Sequence, residues 1–390
     1  MSEPNVARAL ELVTQLMAIP GKSGEESGVA KVIIERLTAA GAPEDGLRFD
    51  DANTRTQLKG DVGNLILQLP GTKRAPRRML SAHMDTVPIC IGARPRKEGE
   101  FLRSANPKTG LGADDRAGCA VVLAAALEIL ENKLPHPPLT FCWFIQEEIG
   151  LHGARHLDVK QLGKPKLAFN FDGGSPAKLT IGATGGYRMQ IVVSGLASHA
   201  GVSPELGVSA ISIASLAIAD LQRDGWLGLV EKGKKRGTSN VGYIHGGEAT
   251  NVVTDRVELK AECRSHDPKF REKIQAEIEK AFTRAAKELQ NSLGQRGSVQ
   301  FNGRLDYEAF RLEDDSACVV AAEAAVQAVG REPLRAISNG GLDSNWLFQH
   351  GIPSVTLGCG QVNPHMVTEA LDIAQFEDAV RIGLRLATAS

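Results

Sequence analysis

The 390-residue chain carries 45 Lys and Arg against 46 Asp and Glu, with 42% hydrophobic residues. At roughly 100 to 200 residues per domain, that length calls for two domains or one large domain with an insertion, and the apolar content with almost no net charge excludes a mainly disordered chain. A net charge of −1 offers no global field to a polyanion, so nucleic acid is not an expected partner. The longest uncharged apolar run, residues 117–127, is well short of the ~20 that cross a bilayer.

The amino-terminal stretch mixes charges into a helical period and has no apolar core behind a basic start, so it does not read as a signal peptide. Six cysteines, at 90, 119, 142, 263, 318 and 359, are scattered without a CxxC pair. They suit unpaired buried thiols in a reducing, cytoplasmic setting.

Apolar residues spaced three and four apart predict helices over 5–18 and 24–40. Short apolar runs at 63–69, 79–82, 139–145 and 167–171 predict buried strands. Between the second and third of these, the Ala- and Leu-rich 115–131 predicts a buried helix. The pattern resumes with a helix at 316–329, a strand at 353–357 and a helix at 371–387. Helices alternating with apolar strands indicate a layered α/β domain with a largely parallel sheet.

Residues 180–309 read differently. Strands at 186–194, 239–245, 254–263 and 298–304, with helices at 207–223 and 267–291, give βαββαβ, a two-layer α+β unit able to fold alone. The expected organisation is a catalytic domain over 1–179 and 310–390, with 180–309 inserted. Glycine-rich 173–186 and the stretch 302–307 are expected to be hinges, and the run 231–237 a solvated surface.

The chemistry gathers at the strand ends. His83 and Asp85 follow the 79–82 strand, Asp114 and Asp115 precede the buried helix, Glu147 and Glu148 follow 139–145, Asp172 follows 167–171, and His365 lies beyond 353–357. Side chains at the carboxyl edges of adjacent strands converge on one crevice. A mixture of imidazoles and carboxylates without thiolates suits catalytic zinc, or manganese or cobalt in its place. Two ions would need about five side chains with one shared.

The segments SAHMDTVP at 81–88, GADDRAG at 112–118, FIQEEIGLHGA at 144–154, FNFDGG at 169–174, GLASHAG at 195–201, GGEATNVV at 246–253, AECRSHD at 261–267, SNGGLDSNWL at 338–347 and PHMVTEAL at 364–371 resemble, in order and spacing, the M20 family of dinuclear zinc peptidases, and within it the peptidase T branch. The resemblance implies a zinc-exopeptidase-type mixed sheet flanked by helices, with the insert as lid and dimerisation domain. It implies two Zn2+ per chain. Asp114 would bridge them, His83 and Asp172 would complete one site and Glu148 and His365 the other, and the Asp114–Asp115 peptide would be cis. Glu147 corresponds to the general base, and Asp85 to the acceptor for the other N–H of His83. His199 would reach the oxyanion, from the partner subunit where the chain is a homodimer. Asn251, Arg264, Gly340 and Gly341 would position substrate.

The activity this implies is removal of the amino-terminal residue from small peptides. Two alternatives stay open: an M20 amidohydrolase, deacylase or carboxypeptidase acting on N-acyl amino acids with Arg264 gripping the carboxylate, and a catalytically silent metal- or peptide-binding module. An Asp rather than Glu at 172 favours the aminopeptidase within the family. Arg116 departs from the branch's usual Lys. Among residues outside this set, Asp115 is expected to cap the following helix, Asp343 is divided between helix cap and substrate loop, and Glu369 is expected to support the metal ligands. His152 and His156 are expected on the surface, and His245 and His266 in structural positions.

Overall fold

The computed structural model describes residues 3–389. The chain divides into two compact units, Met1–Ala183 with Arg311–Ser390, and Thr184–Phe310.

In the first unit the main sheet runs, in spatial order, Leu47–Phe49, Leu65–Leu69, Leu139–Phe144, Arg78–His83, Leu167–Phe171, Ser354–Leu357 and Lys178–Ala183, with Leu334–Ser338 also paired to Lys178–Ala183. The four middle strands are parallel. Antiparallel neighbours flank them, which makes the sheet mixed. Strands Leu139–Phe144, Arg78–His83 and Ser354–Leu357 are buried throughout, and their apolar runs lack alternation because both faces are covered. Register brings their carboxyl ends level: His83 pairs with Phe144, and Leu357 with Phe171.

Helix Ala113–Asn132 is buried nearly all round and packs on Arg78–His83 and Leu167–Phe171. Small residues permit this. A Cβ on Gly118 would lie 2.2 Å from the Phe171 carbonyl oxygen, and one on Gly383 would lie 2.8 Å from Val121 in the crossing with helix Ile373–Thr388. The amino-terminal helix Val6–Met17 buries Ala9, Leu12, Val13 and Leu16, and Asn5 caps it by accepting the Arg8 N–H.

A second sheet, Gln361–Val362, Ala370–Asp372, Phe101–Ser104 and Pro95–Glu98, was not expected. Strands of two to four residues show too little of a period-two pattern to be read. This sheet matters because His365 lies on the connection between its first two strands.

Residues 178–183, expected in a hinge, are instead a strand of the main sheet with five of six positions buried. Leu312 donates its N–H to the Ile181 carbonyl at 2.7 Å, so the chain returns to this unit beside the point where it left.

The second unit is a five-stranded antiparallel sheet in the order Gly228–Lys232, Lys235–Gly246, Arg256–Ser265, Gly185–Ser194, Ser298–Tyr307, with helices Ala210–Arg223 and Pro268–Glu288 over it. Its core includes Ile191, Val193, Ile213, Ala217, Leu259, Phe270, Ile274 and Phe282. It holds one strand more than βαββαβ. The run 231–237 is largely exposed, as expected, and forms a hairpin in which Glu231 pairs with Arg236 and Gly233 makes the turn at φ 65°. Residues 302–307 are likewise strand rather than hinge. Their glycine serves close packing: a Cβ on Gly303 would lie 2.2 Å from the Tyr187 hydroxyl, and one on Gly186 would lie 2.8 Å from the Tyr307 ring.

All six cysteines are free and buried. Among the described residues no helix is long and apolar enough to cross a membrane.

Candidate metal centre

The five expected ligands, all in the first unit, meet. Ligand atoms of His83, Asp114 and Asp172 lie within 4.8 Å of one another, as do those of Asp114, Glu148 and His365. Asp114 belongs to both groups. Its Oδ1 is 3.2 Å from His83 Nε2, and its Oδ2 is 3.2 Å from His365 Nε2. His365 Nε2 also lies 3.0 Å from Glu148, and Glu147 is 4.0 Å from His83. The Asp114–Asp115 peptide is cis.

So many acids gathered in a largely buried crevice repel each other, and their protonation reflects it. Burial raises Asp172 to about 6, with Asp114 adding to it. Burial raises Glu148 to about 7, opposed by His365 and assisted by Asp114. Burial pushes Glu147 well up against the pull of His83. For Asp114 burial is overcome by His365 and His83, which hold it below the usual carboxylate range. The same contacts with Asp114 and Glu148 raise His365 to about 10. Two imidazoles aimed at one carboxylate, with further carboxylates on either side, suit a pair of divalent cations, whose charge would remove the repulsion.

A surrounding layer of hydrogen bonds fixes these groups. Asp85, fully buried, accepts the N–H of Glu147 at 2.9 Å, the N–H of Glu148 at 3.2 Å and the Ser23 hydroxyl at 2.6 Å. Its carboxylate is 3.4 Å from His83 Nδ1, which sits closer, at 3.1 Å, to the Asp85 carbonyl. Asp114 and Asp115 break the helical φ/ψ near the start of Ala113–Asn132, and Asp115 caps the regular part that follows, accepting the Gly118 N–H at 3.0 Å as well as the His83 N–H at 3.1 Å. Glu369 accepts the N–H groups of Leu111, Gly112 and Asp114 at 2.7, 2.8 and 3.1 Å. Gln361 and Ser23 are among the contributors that the sequence does not reveal. Gln361 donates its amide to Asp115 at 2.9 Å and to Asp172 at 3.3 Å. Ser23 precedes every recognised segment. Neither carries a spacing signal, because each reaches the site only through the tertiary fold.

Other expectations need correction. His152 is 7% exposed, not a surface residue: it opens a single turn, His152–Arg155, that is pressed onto the preceding strand end, where a Cβ on Gly153 would lie 2.5 Å from the Ile145 carbonyl oxygen. Asp343 does not cap its helix. Asn345 does, accepting the Leu342 N–H at 2.9 Å, while both Asp343 oxygens are buried without a hydrogen bond. Gly340 and Gly341 lie in the bend before that helix, and Gly340 donates its N–H to the Ser338 hydroxyl at 3.0 Å.

His199, Asn251 and Arg264 belong to the second unit. His199 is exposed, and its Nδ1 accepts the N–H groups of Gly201 and Val202 at 3.2 and 3.1 Å. This leaves Nε2 as the protonated nitrogen. The Asn251 carbonyl accepts the Ala200 N–H at 2.9 Å. Arg264 is forked onto Glu262 at 2.9 and 3.1 Å. In the same unit His245, read as structural, is exposed at the rim of a cavity shared with Glu248, Asp255 and Glu258.

A mixed sheet whose strand ends bear this cluster of imidazoles and carboxylates is the architecture of a metal-dependent hydrolase. The profile of peptidase family M20/M25/M40 matches residues 79–389, and the chain belongs to that family of metallopeptidases. A tripeptidase structure from Staphylococcus aureus subsp. aureus Mu50 superposes with TM-score 0.88 at 31% identity, covering 99% of this chain and 98% of that one. The aminopeptidase PepT of Bacillus cereus ATCC 10987 gives 0.85 at 30% identity, with 98% of each chain covered. An uncharacterized Bacillus subtilis protein, YqjE, is 32% identical over 375 residues, 95% of each chain.

Proposed function

We propose that this chain is a two-metal aminopeptidase that removes the amino-terminal residue from small peptides, tripeptides above all. The reading rests on Asp114, whose two oxygens each lie 3.2 Å from a different imidazole nitrogen, the arrangement a bridging carboxylate requires. The similarity to a tripeptidase and to an aminopeptidase over nearly the whole chain supports the substrate class.

His83, Asp114 and Asp172 would hold one cation and Asp114, Glu148 and His365 the other. The donor chemistry suits zinc, with manganese or cobalt able to replace it. Bound there, such ions supply Lewis acidity that polarises a peptide carbonyl and acidifies water. Glu147 accepts the proton of the attacking water and returns it to the leaving amine. Asp85 fixes the backbone from which Glu147 and Glu148 project. His199, with its proton on Nε2, is suited to donate to the oxyanion. Asn251, Arg264, Gly340 and Gly341 position the peptide.

The Thr184–Phe310 unit serves as lid and dimerisation module of a homodimer, a reading supported by the exposed Tyr243, Ile244 and Val252 on it. Six buried free thiols support a cytoplasmic setting.

The test is hydrolysis of unblocked tripeptides beside their N-acetylated counterparts, with zinc, manganese or cobalt supplied. Faster cleavage of the free-amine peptides is expected. Preference for the blocked ones would replace the aminopeptidase with a deacylase.

A further inference from the structure

Residues 18–26 connect the first two helices, Val6–Met17 and Ser27–Ala39, ahead of residue 79 where the family match begins. Glu26 lies in this segment and is 0% exposed. Its Oε1 accepts the Gly24 N–H at 2.8 Å and, across 120 residues of sequence, the Gln146 N–H at 3.0 Å. Asp61 in turn accepts the N–H groups of Glu26 and Ser27, both at 3.1 Å, and donates its own N–H to the Gly24 carbonyl at 3.1 Å, which fixes the segment.

Strand Leu139–Phe144 ends two residues before Gln146, so the amides that follow have no ladder partner and need another acceptor. Gln146 also has φ 51°, a left-handed conformation that costs a residue with a Cβ. Three consecutive amides are satisfied by two buried carboxylates: Gln146 by Glu26, and Glu147 and Glu148 by Asp85. Buried Arg116 donates to the Gly21 carbonyl at 3.1 Å, and its charge faces both acids. Asp85 fixes where Glu147 and Glu148 begin. Glu26 fixes the turn that aims them.

We propose that Glu26 is a positioning residue of the hydrolytic reaction, which clamps the Gln146 amide and so sets the direction in which Glu147 presents its carboxylate. The proposal deepens the function given above and rests on Glu147 as general base. Misplacement of a reacting group by about 1 Å can cost ~100-fold in rate, so the clamp acts on kcat.

The experiment compares Glu26→Ala, Glu26→Asp and Glu26→Gln with the wild type. In Ala no acceptor remains. Asp keeps the charge but is one methylene short of the Gln146 amide. Gln keeps an acceptor oxygen at full length and loses the charge. Expected is a ~10- to 100-fold fall in kcat for Ala and Asp, with KM for a tripeptide and bound zinc near wild type, and recovery of most of the loss in Gln. Hydrogen exchange of the 146–148 amides in the metal-free protein gives a readout independent of turnover: faster in Ala and Asp, slow in Gln.

Should Ala not fold, the Asp and Gln pair carries the same contrast. Unchanged kcat with unchanged exchange in Asp overturns the proposal, and so does a loss confined to KM or zinc content. A wild type that cleaves no tripeptide refutes the substrate reading instead, and the exchange comparison then decides whether Glu26 clamps the turn.

Discussion

Glu369 accepts the backbone N–H of Asp114 at 3.1 Å through one carboxylate oxygen, while the other takes the N–H groups of Leu111 and Gly112. The acid thus gathers the turn that presents the Asp114 carboxylate. Glu369→Ala is expected to weaken metal affinity ~10- to 100-fold while the far-ultraviolet circular dichroism stays unchanged. Titration with zinc against a chromophoric chelator measures it, and equal affinity for variant and wild type would count against this role.

Glu147 and Asp114 should separate chemistry from metal binding. Glu147→Ala is expected to retain close to two metal ions per chain and to lose at least ~100-fold in turnover. Asp114→Ala should lose both ions. Metal analysis of gel-filtered protein, paired with a turnover assay, distinguishes the two, and a Glu147→Ala variant that is as active as wild type would remove the general base from the scheme.

Asp343 gives the metal-free protein a pH dependence of known sign. Burial raises its carboxyl from 3.8 to about 8, against the pull of His83 and with help from Asp172 and Asp85. The folded state therefore keeps this proton where the unfolded chain has lost it, and stability declines as pH rises from 3.8 through 8. Asp343→Asn has no such proton to lose. Its melting temperature should exceed that of wild type by at least ~2 °C at pH 8, with the gain vanishing towards pH 4. A difference independent of pH would refute the assignment.

Gly118 tests the packing beneath the site. A Cβ there would lie 2.2 Å from the Phe171 carbonyl oxygen and 2.5 Å from both Asp115 carboxylate oxygens. Gly118→Ala is expected to destabilise the protein by ~1 to 3 kcal/mol, read as a lower urea midpoint, and to weaken zinc binding through Asp115 and the His83 backbone. An unchanged midpoint would show that the helix can move away freely.

His83, Glu148 and Asp172 were legible because they follow apolar runs, where burial on both faces leaves a clear pattern and the sheet's register does the converging, whereas Asp114, ahead of the buried helix, and His365, on a connection of the second sheet, follow no such strand directly. The supporting layer was not legible. Ser23, Glu26 and Gln361 reach the site by crossing tens to hundreds of residues of sequence, and a polar residue in a loop carries no mark of what it will touch. Glycine misled in the other direction. Around 178–186 and at Gly303 it was read as flexibility, yet it lies within paired strands, and Gly186 and Gly303 have tyrosine rings pressed on them. Very short strands, such as Gln361–Val362, hold no periodicity to find.

The hydrogen bond from Leu312 to Ile181 makes residues 184–310 a loop in the topological sense: they depart and rejoin at neighbouring points of the unit that already carries every expected ligand. A short turn from Ala183 to Arg311 could close the core without them. Natural variation can therefore rewrite or exchange the intervening module while the cluster of imidazoles and carboxylates is inherited intact.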